Sequence, residues 1–112
     1  MTSSEKIQSI LSAECKNYAV YPDFHCGKGE NYITHEIITE QDAMFADDSP
    51  HEQIDTLRVH IFTKQNPTSI KKAVRAALRL GGFSISYTEQ FRESDTSYNH
   101  VIVQVVALGE AD

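Results

Sequence analysis

The span from Asn66 to Gly82 constrains this chain more than any other, because it carries both a start and a stop. An Asn ahead of a Pro caps the free amides of a helix, and Pro at the first helical position gives up no hydrogen bond. Ile70, Ala73, Val74, Ala77 and Leu78 then recur at helical spacing and draw one apolar stripe. Lys71, Lys72, Arg75 and Arg79 cover the opposite side, and Gly81 or Gly82 supplies the left-handed residue that ends the helix. Strands of period two flank it. Leu57, Val59 and Ile61 alternate with Arg58, His60 and Phe62 on one side; Phe83, Ile85 and Tyr87 alternate with Ser84, Ser86 and Thr88 on the other.

The remaining signals extend this pattern. A first helix is predicted over residues 4–16, with Ile7, Ile10 and Leu11 on one face. Thr2 or Ser3 can cap it, and Glu5 stands where a capping-box acid belongs if Thr2 is the cap. Residues 18–21 form a short strand ended by Pro22, and residues 23–31 form a loop kept mobile by Gly27 and Gly29. Residues 32–46 make the longest extended stretch, where a switch in alternation at Ile37 and Ile38 marks a bulge or an edge. A long loop over residues 47–55 leads to the next strand, as in a hairpin. After a polar turn over residues 92–97, residues 98–108 give a last strand. Val101, Val103 and Val105 share one of its faces, and Ile102 and Val106 the other. Such a strand is central, or offers a face to a partner. The expected fold is α+β: a single domain over residues 1–112 in the order α-β-β-β-α-β-β, with a mostly antiparallel or mixed sheet and both helices on one face.

A chain of 112 residues, 40% hydrophobic, builds one modest core with a small stability margin. Self-association that hides further apolar surface would add to it. The formal net charge of −6 argues against a sequence-specific nucleic-acid binder and against an anionic membrane surface as partner. No apolar run approaches transmembrane length and no signal segment opens the chain, so a soluble product of the cytosol is expected. Cys15 and Cys26 fit neither a redox motif nor a zinc knuckle and are read as free thiols.

No motif carries catalysis or a cofactor. His25, His35, His51, His60 and His100 share no metal-binding spacing and read as exposed or packing side chains. His25 and Cys26 are neighbours on an extended chain and face apart, which is poor geometry for a nucleophile and its base. Gly27-Lys28-Gly29 lacks the length of a phosphate loop. Asp47, Asp48 and Glu52 suit a hard cation, but a solvated turn with Asp side chains bonded to nearby amides explains them better. The basic stripe holds four of the ten Lys and Arg residues. On an acidic chain that makes Lys71, Lys72, Arg75 and Arg79 either a wet helix face or a docking patch for an acidic neighbour, another copy included. Met44 and Phe45, next to the Asp47-Asp48 turn, are core or interface.

Taken in order, Tyr21-Pro22-Asp23, Phe45-Ala46-Asp47-Asp48, Val59-His60-Ile61-Phe62-Thr63-Lys64, Gly82-Phe83 and Asp95-Thr96 with His100 resemble the tail-completion or tail-terminator proteins of long-tailed bacteriophages and prophages. One departure is that Asn99, not an aromatic residue, precedes His100, with Tyr98 one place earlier. The resemblance implies a non-enzymatic assembly protein without cofactor or metal. Free, it would be a monomer; assembled, it would be a hexameric ring in the virion, at the head-proximal end of the tail. Its partners would be itself, the tail tube protein and the head completion or connector protein. Met44, Phe45, Asp47 and Asp48 at the hairpin tip and the four basic residues of the second helix are the expected interface. A head-side connector or other minor tail component, and a small host ligand-binding or regulatory domain, are the alternatives.

Overall fold

The computed structural model describes residues 2–22, 31–42, 52–94 and 97–110. Seven elements follow one another: α1 (Ser3–Glu14), β1 (Ala19–Pro22), β2 (Asn31–Asp42), β3 (Glu52–Thr63), α2 (Thr68–Leu80), β4 (Ser84–Arg92) and β5 (Asn99–Glu110). The strands form one sheet in the order β1-β2-β3-β5-β4. The β1–β2 pairing is parallel and the other three are antiparallel, so the expected order and mixed sheet are both present. β3 and β4 therefore run in the same direction with β5 between them. α2 is the crossover that links them, a split β-α-β arrangement.

Both helices start and stop for local reasons. The Thr2 Oγ1 accepts the Glu5 N–H at 3.1 Å, as the expected cap does. α1 ends at Glu14, earlier than residue 16, where the Cys15 N–H bonds the Leu11 carbonyl. The Asn66 Oδ1 accepts both the N–H and the hydroxyl of Thr68, at 3.0 and 2.8 Å. At the other end, the Gly82 N–H bonds the Arg79 carbonyl and the Phe83 N–H bonds the Leu78 carbonyl. These two bonds make a Schellman motif, and Gly82 carries its left-handed backbone at φ 91°. Gly81 lies against Ile10 of α1, where a Cβ would collide with that side chain. One glycine closes the helix and the other lets the two helices approach.

The core lies between the helix layer and one face of the sheet. Ile7, Leu11 and Cys15 of α1 and Ile70, Val74 and Leu78 of α2 pack on Leu57, Val59 and Ile61 of β3 and Val101, Val103 and Val105 of β5. Ile33 of β2 and Phe83 complete this layer. Burying each such side chain contributes about 1.5–3 kcal/mol. Ala73, expected in the apolar stripe, is exposed, because it lines a groove between α2 and the residues that follow α1 and does not pack on the sheet. Two buried polar groups tie α1 down. The Ser3 hydroxyl donates to Asp55 at 2.6 Å, and Gln8 meets the buried His35 ring at 2.7 Å.

Two strand boundaries differ from the sequence expectation, and a third falls outside the described residues. β3 begins at Glu52, so part of the expected loop over residues 47–55 is strand. β4 continues to Arg92, so pairing with β5 carries the strand past Thr88 into the first residue of the expected turn over residues 92–97. β2 is described only to Asp42; Met44, Phe45, Asp47 and Asp48 lie outside the described residues. The irregularity expected at Ile37 and Ile38 is present as a register shift between Ile37 and Thr39. Gly82→Ala is expected to lower stability by about 1–2 kcal/mol in denaturant melts, the cost of a Cβ on left-handed backbone. A loss below about 0.3 kcal/mol would mean that the helix end relaxes without that conformation.

Candidate assembly surface

Period-two alternation gives the sheet a second face that neither helix covers. On β3 the core residues are Leu57, Val59 and Ile61, so Arg58, His60 and Phe62 point the other way. Register brings them beside Tyr32, Thr34 and Glu36 of β2 and His100, Ile102 and Gln104 of β5. Phe91 of β4 pairs with His100 and reaches the same face.

Aromatic rings knit this face across four strands. Tyr32 stacks on Phe62 with centroids 4.6 Å apart, and Phe62 stacks on His100 at 4.2 Å. Phe91 meets His100 at 4.7 Å, and Tyr98 stands edge-on to both Tyr32 and Phe62. The Lys64 ammonium lies 5.1 Å from the Tyr98 ring, within range of a cation–π attraction. Tyr98, singled out by its displaced position in sequence, is therefore a packing residue of this cluster.

A polar chain runs beside the rings. Glu36 Oε1 is 2.9 Å from His60 Nε2, and His60 Nδ1 is 2.9 Å from His100 Nε2. A carboxylate only accepts, so Nε2 of His60 donates to Glu36 and its Nδ1 accepts from Nε2 of His100. That leaves Nδ1 of His100 as a bare acceptor, buried without a hydrogen bond and 3.7 Å from the Glu93 carboxylate. The turn sets Glu93 there: its N–H bonds the Tyr98 carbonyl, and Ser97, at φ 62°, bonds the Glu93 carbonyl. Burial and the neighbouring His60 push the His100 pKa down from 6.5 to about 4, against the opposing pull of Glu93. Burial, aided by Glu14, raises the Cys15 thiol, so this core cysteine is held as the unreactive thiol form.

Sequence spacing could not reveal the His60–His100 pair, because the two lie 40 positions apart. Alternation alone sets each on its strand's outward side; only the β3–β5 register makes them neighbours. Among the described residues, no group of three His, Cys, Asp or Glu side chains is placed to hold a metal ion. A cavity of about 450 Å³ is lined by Ser4, Gln8, Pro22 and His35, away from this pair.

The four basic residues remain together on α2. Lys71 reaches β4, its Nζ donating to Gln90 at 2.9 Å, while Lys72 and Arg79 are exposed. Apolar exposure concentrates at the margins of the sheet and the end of α2: Ile37 and Ile38 on β2, Phe91 on β4 and Leu80. Among the described residues no helix is long and apolar enough to cross a membrane.

The depressed His100 pKa has a fixed sign. Unfolded, the ring takes a proton near pH 6.5; folded, only near 4. Between these values the unfolded state holds more protons, so stability falls as pH drops from about 6.5 toward 4 and this contribution then levels off. His100→Gln, which keeps a donor for His60, is expected to reduce the loss of Tm between pH 7 and 4.5 by at least about 4 °C. An unchanged pH slope would remove His100 as its source.

No family model matches the chain, and no curated protein does. Among solved structures it is similar to a chain in the virion of a native gene transfer agent particle. The two share 14% identity; the match covers 98% of this chain and 96% of that one, with a TM-score of 0.66. At that identity the likeness is one of fold.

Proposed function

We propose that this chain is a structural component of a phage-like virion, and that within it the chain caps the tail tube as a ring, stops tube growth and joins tail to head. The observation that carries the reading is the fold shared, end to end, with a chain of a gene transfer agent virion. The order of motifs along the chain supports it independently. So does the architecture: helices cover one face of the sheet, a buried aromatic cluster of Tyr32, Phe62 and Tyr98 packs on the other, and apolar exposure falls at Ile37 and Ile38 of β2, Phe91 of β4 and Leu80. Apolar side chains exposed along strand margins suit contact with other proteins.

A ring at the head-proximal end of the tail must let DNA pass without gripping it. A net charge of −6 repels phosphate and meets that need. The partners are then other copies of the chain, the tail tube protein and the head completion or connector protein. Neither specific nucleic acid nor a membrane is among them, and no cofactor or enzymatic step is required. Met44, Phe45, Asp47 and Asp48, which lie outside the described residues, and the basic face of α2 are assigned to these contacts.

The test is to add purified protein to tube subunits from the same particle while they polymerise. Shortened tubes with a ring at one end in electron micrographs are expected. Unchanged tube length with binding to DNA-filled heads would move the protein to the head side of the joint. Binding to neither, with a mass that stays monomeric in light scattering as concentration rises, would overturn the assembly reading.

A further inference from the structure

The two margins of the sheet differ in charge and in pairing. β1 pairs with β2 only from Tyr32 to His35. Residues 36–42 of β2 have no strand partner on that side among the described residues, and Ile37 and Ile38 are exposed there. At the opposite margin, β4 pairs with β5 and has no described strand beyond it. Unpaired edges of this length are templates for another strand.

The bulge decides which side chains the β2 margin displays. Ile37 stands opposite Leu57, on the helix-covered face. Ile38 is the extra residue, so Glu40 falls opposite Asp55 and also lies on the helix-covered face. Without the bulge Glu40 would point to the opposite face. The exposed Glu40 touches Gln53 of β3 at 3.2 Å. On the same face at the other margin, α2 lies over β4 and sends Lys71 to Gln90. Arg75 follows one turn later on that flank, and its Nε and the Thr88 hydroxyl are buried there without a hydrogen-bond partner. An acidic edge and a basic edge thus sit on the same layer at opposite ends of the sheet.

Strand direction fits the same pairing. β5 runs parallel to β2 and β4 antiparallel to it. A copy related by rotation about an axis along the strands brings its β4 antiparallel to β2, with both helix layers on one side. Because the two edges differ, the contact is head-to-tail and repeats until it closes. We propose that copies of this chain join by strand addition, β4 of one pairing with residues 36–42 of the next, with Lys71 and Arg75 of α2 set over Glu40. This rests on the self-assembly reading above and names the surface that performs it.

The experiment is charge reversal with complementary mixing, read by light scattering and electron microscopy over a concentration series. Glu40→Lys alone and Lys71→Glu alone are each expected to raise the concentration for half-assembly at least about tenfold, with far-ultraviolet circular dichroism unchanged. An equimolar mixture of the two variants restores assembly, because every junction then pairs opposite charges, native or exchanged. A folding defect would not be rescued by mixing. Should a reversal unfold the chain, Glu40→Gln and Lys71→Gln take its place, with a smaller but same-signed shift expected. Rings that form from both reversed variants at the wild-type concentration, or variants that fail to rescue each other, overturn this interface and leave the assembly reading standing. A wild-type chain that never assembles overturns both.

Discussion

The contact between the helix layer and the alternating residues of β3 and β5 is the constraint from which the rest follows. Leu57, Val59 and Ile61 meet Val101, Val103 and Val105 side by side under Val74 and Leu78. Side chains alternate with a period of two, so a slip of one residue in either strand would turn three buried aliphatic groups into solvent. That penalty, several kcal/mol by burial alone, locks the register. The same lock sets everything on the reverse side. His60, Phe62 and His100 meet because their neighbours along the chain are held in the core.

The polar chain on that reverse face is a consequence with its own cost. His100 is buried among Phe62, Phe91 and His60, and its remaining nitrogen has no hydrogen bond. A neutral ring there avoids a buried charge, and Glu36 at the far end of the chain orients both rings through His60. The aromatic stack forms a second buried cluster on the face that the helices leave, with Tyr32 and Phe62 each only 4% exposed. A small domain with one helix layer can thus keep its second face ordered by rings packed across strands.

Asymmetry between the sheet margins links this packing to the proposed role. A closed ring built from one kind of subunit needs two unlike surfaces. Here β1 is too short to cover all of β2, and α2 leans over β4, so one margin exposes Ile37, Ile38 and Glu40 and the other presents Lys71 and Arg75. The proposed role draws together the acidic net charge, the basic helix flank and the fold similar to that of a virion chain: under it, the unlike margins would join copies and the acidic body would let nucleic acid pass.

Local physics made much of this fold readable from the chain. Asn66-Pro67 and Gly81-Gly82 bound α2 because capping and left-handed backbone are decided by adjacent residues. Period-two alternation marked β3 and β5, and the break at Ile37-Ile38 marked the bulge, because each needs only neighbouring side chains. The strand ends at Glu52 and Arg92 were not readable, since pairing with a neighbour extended polar segments that have no strand signal of their own. The His60–His100–Glu36 chain and the opposed charges of the two margins belong to the tertiary structure alone. Each depends on which strand lies beside which, a long-range choice made by burying the whole apolar layer at once.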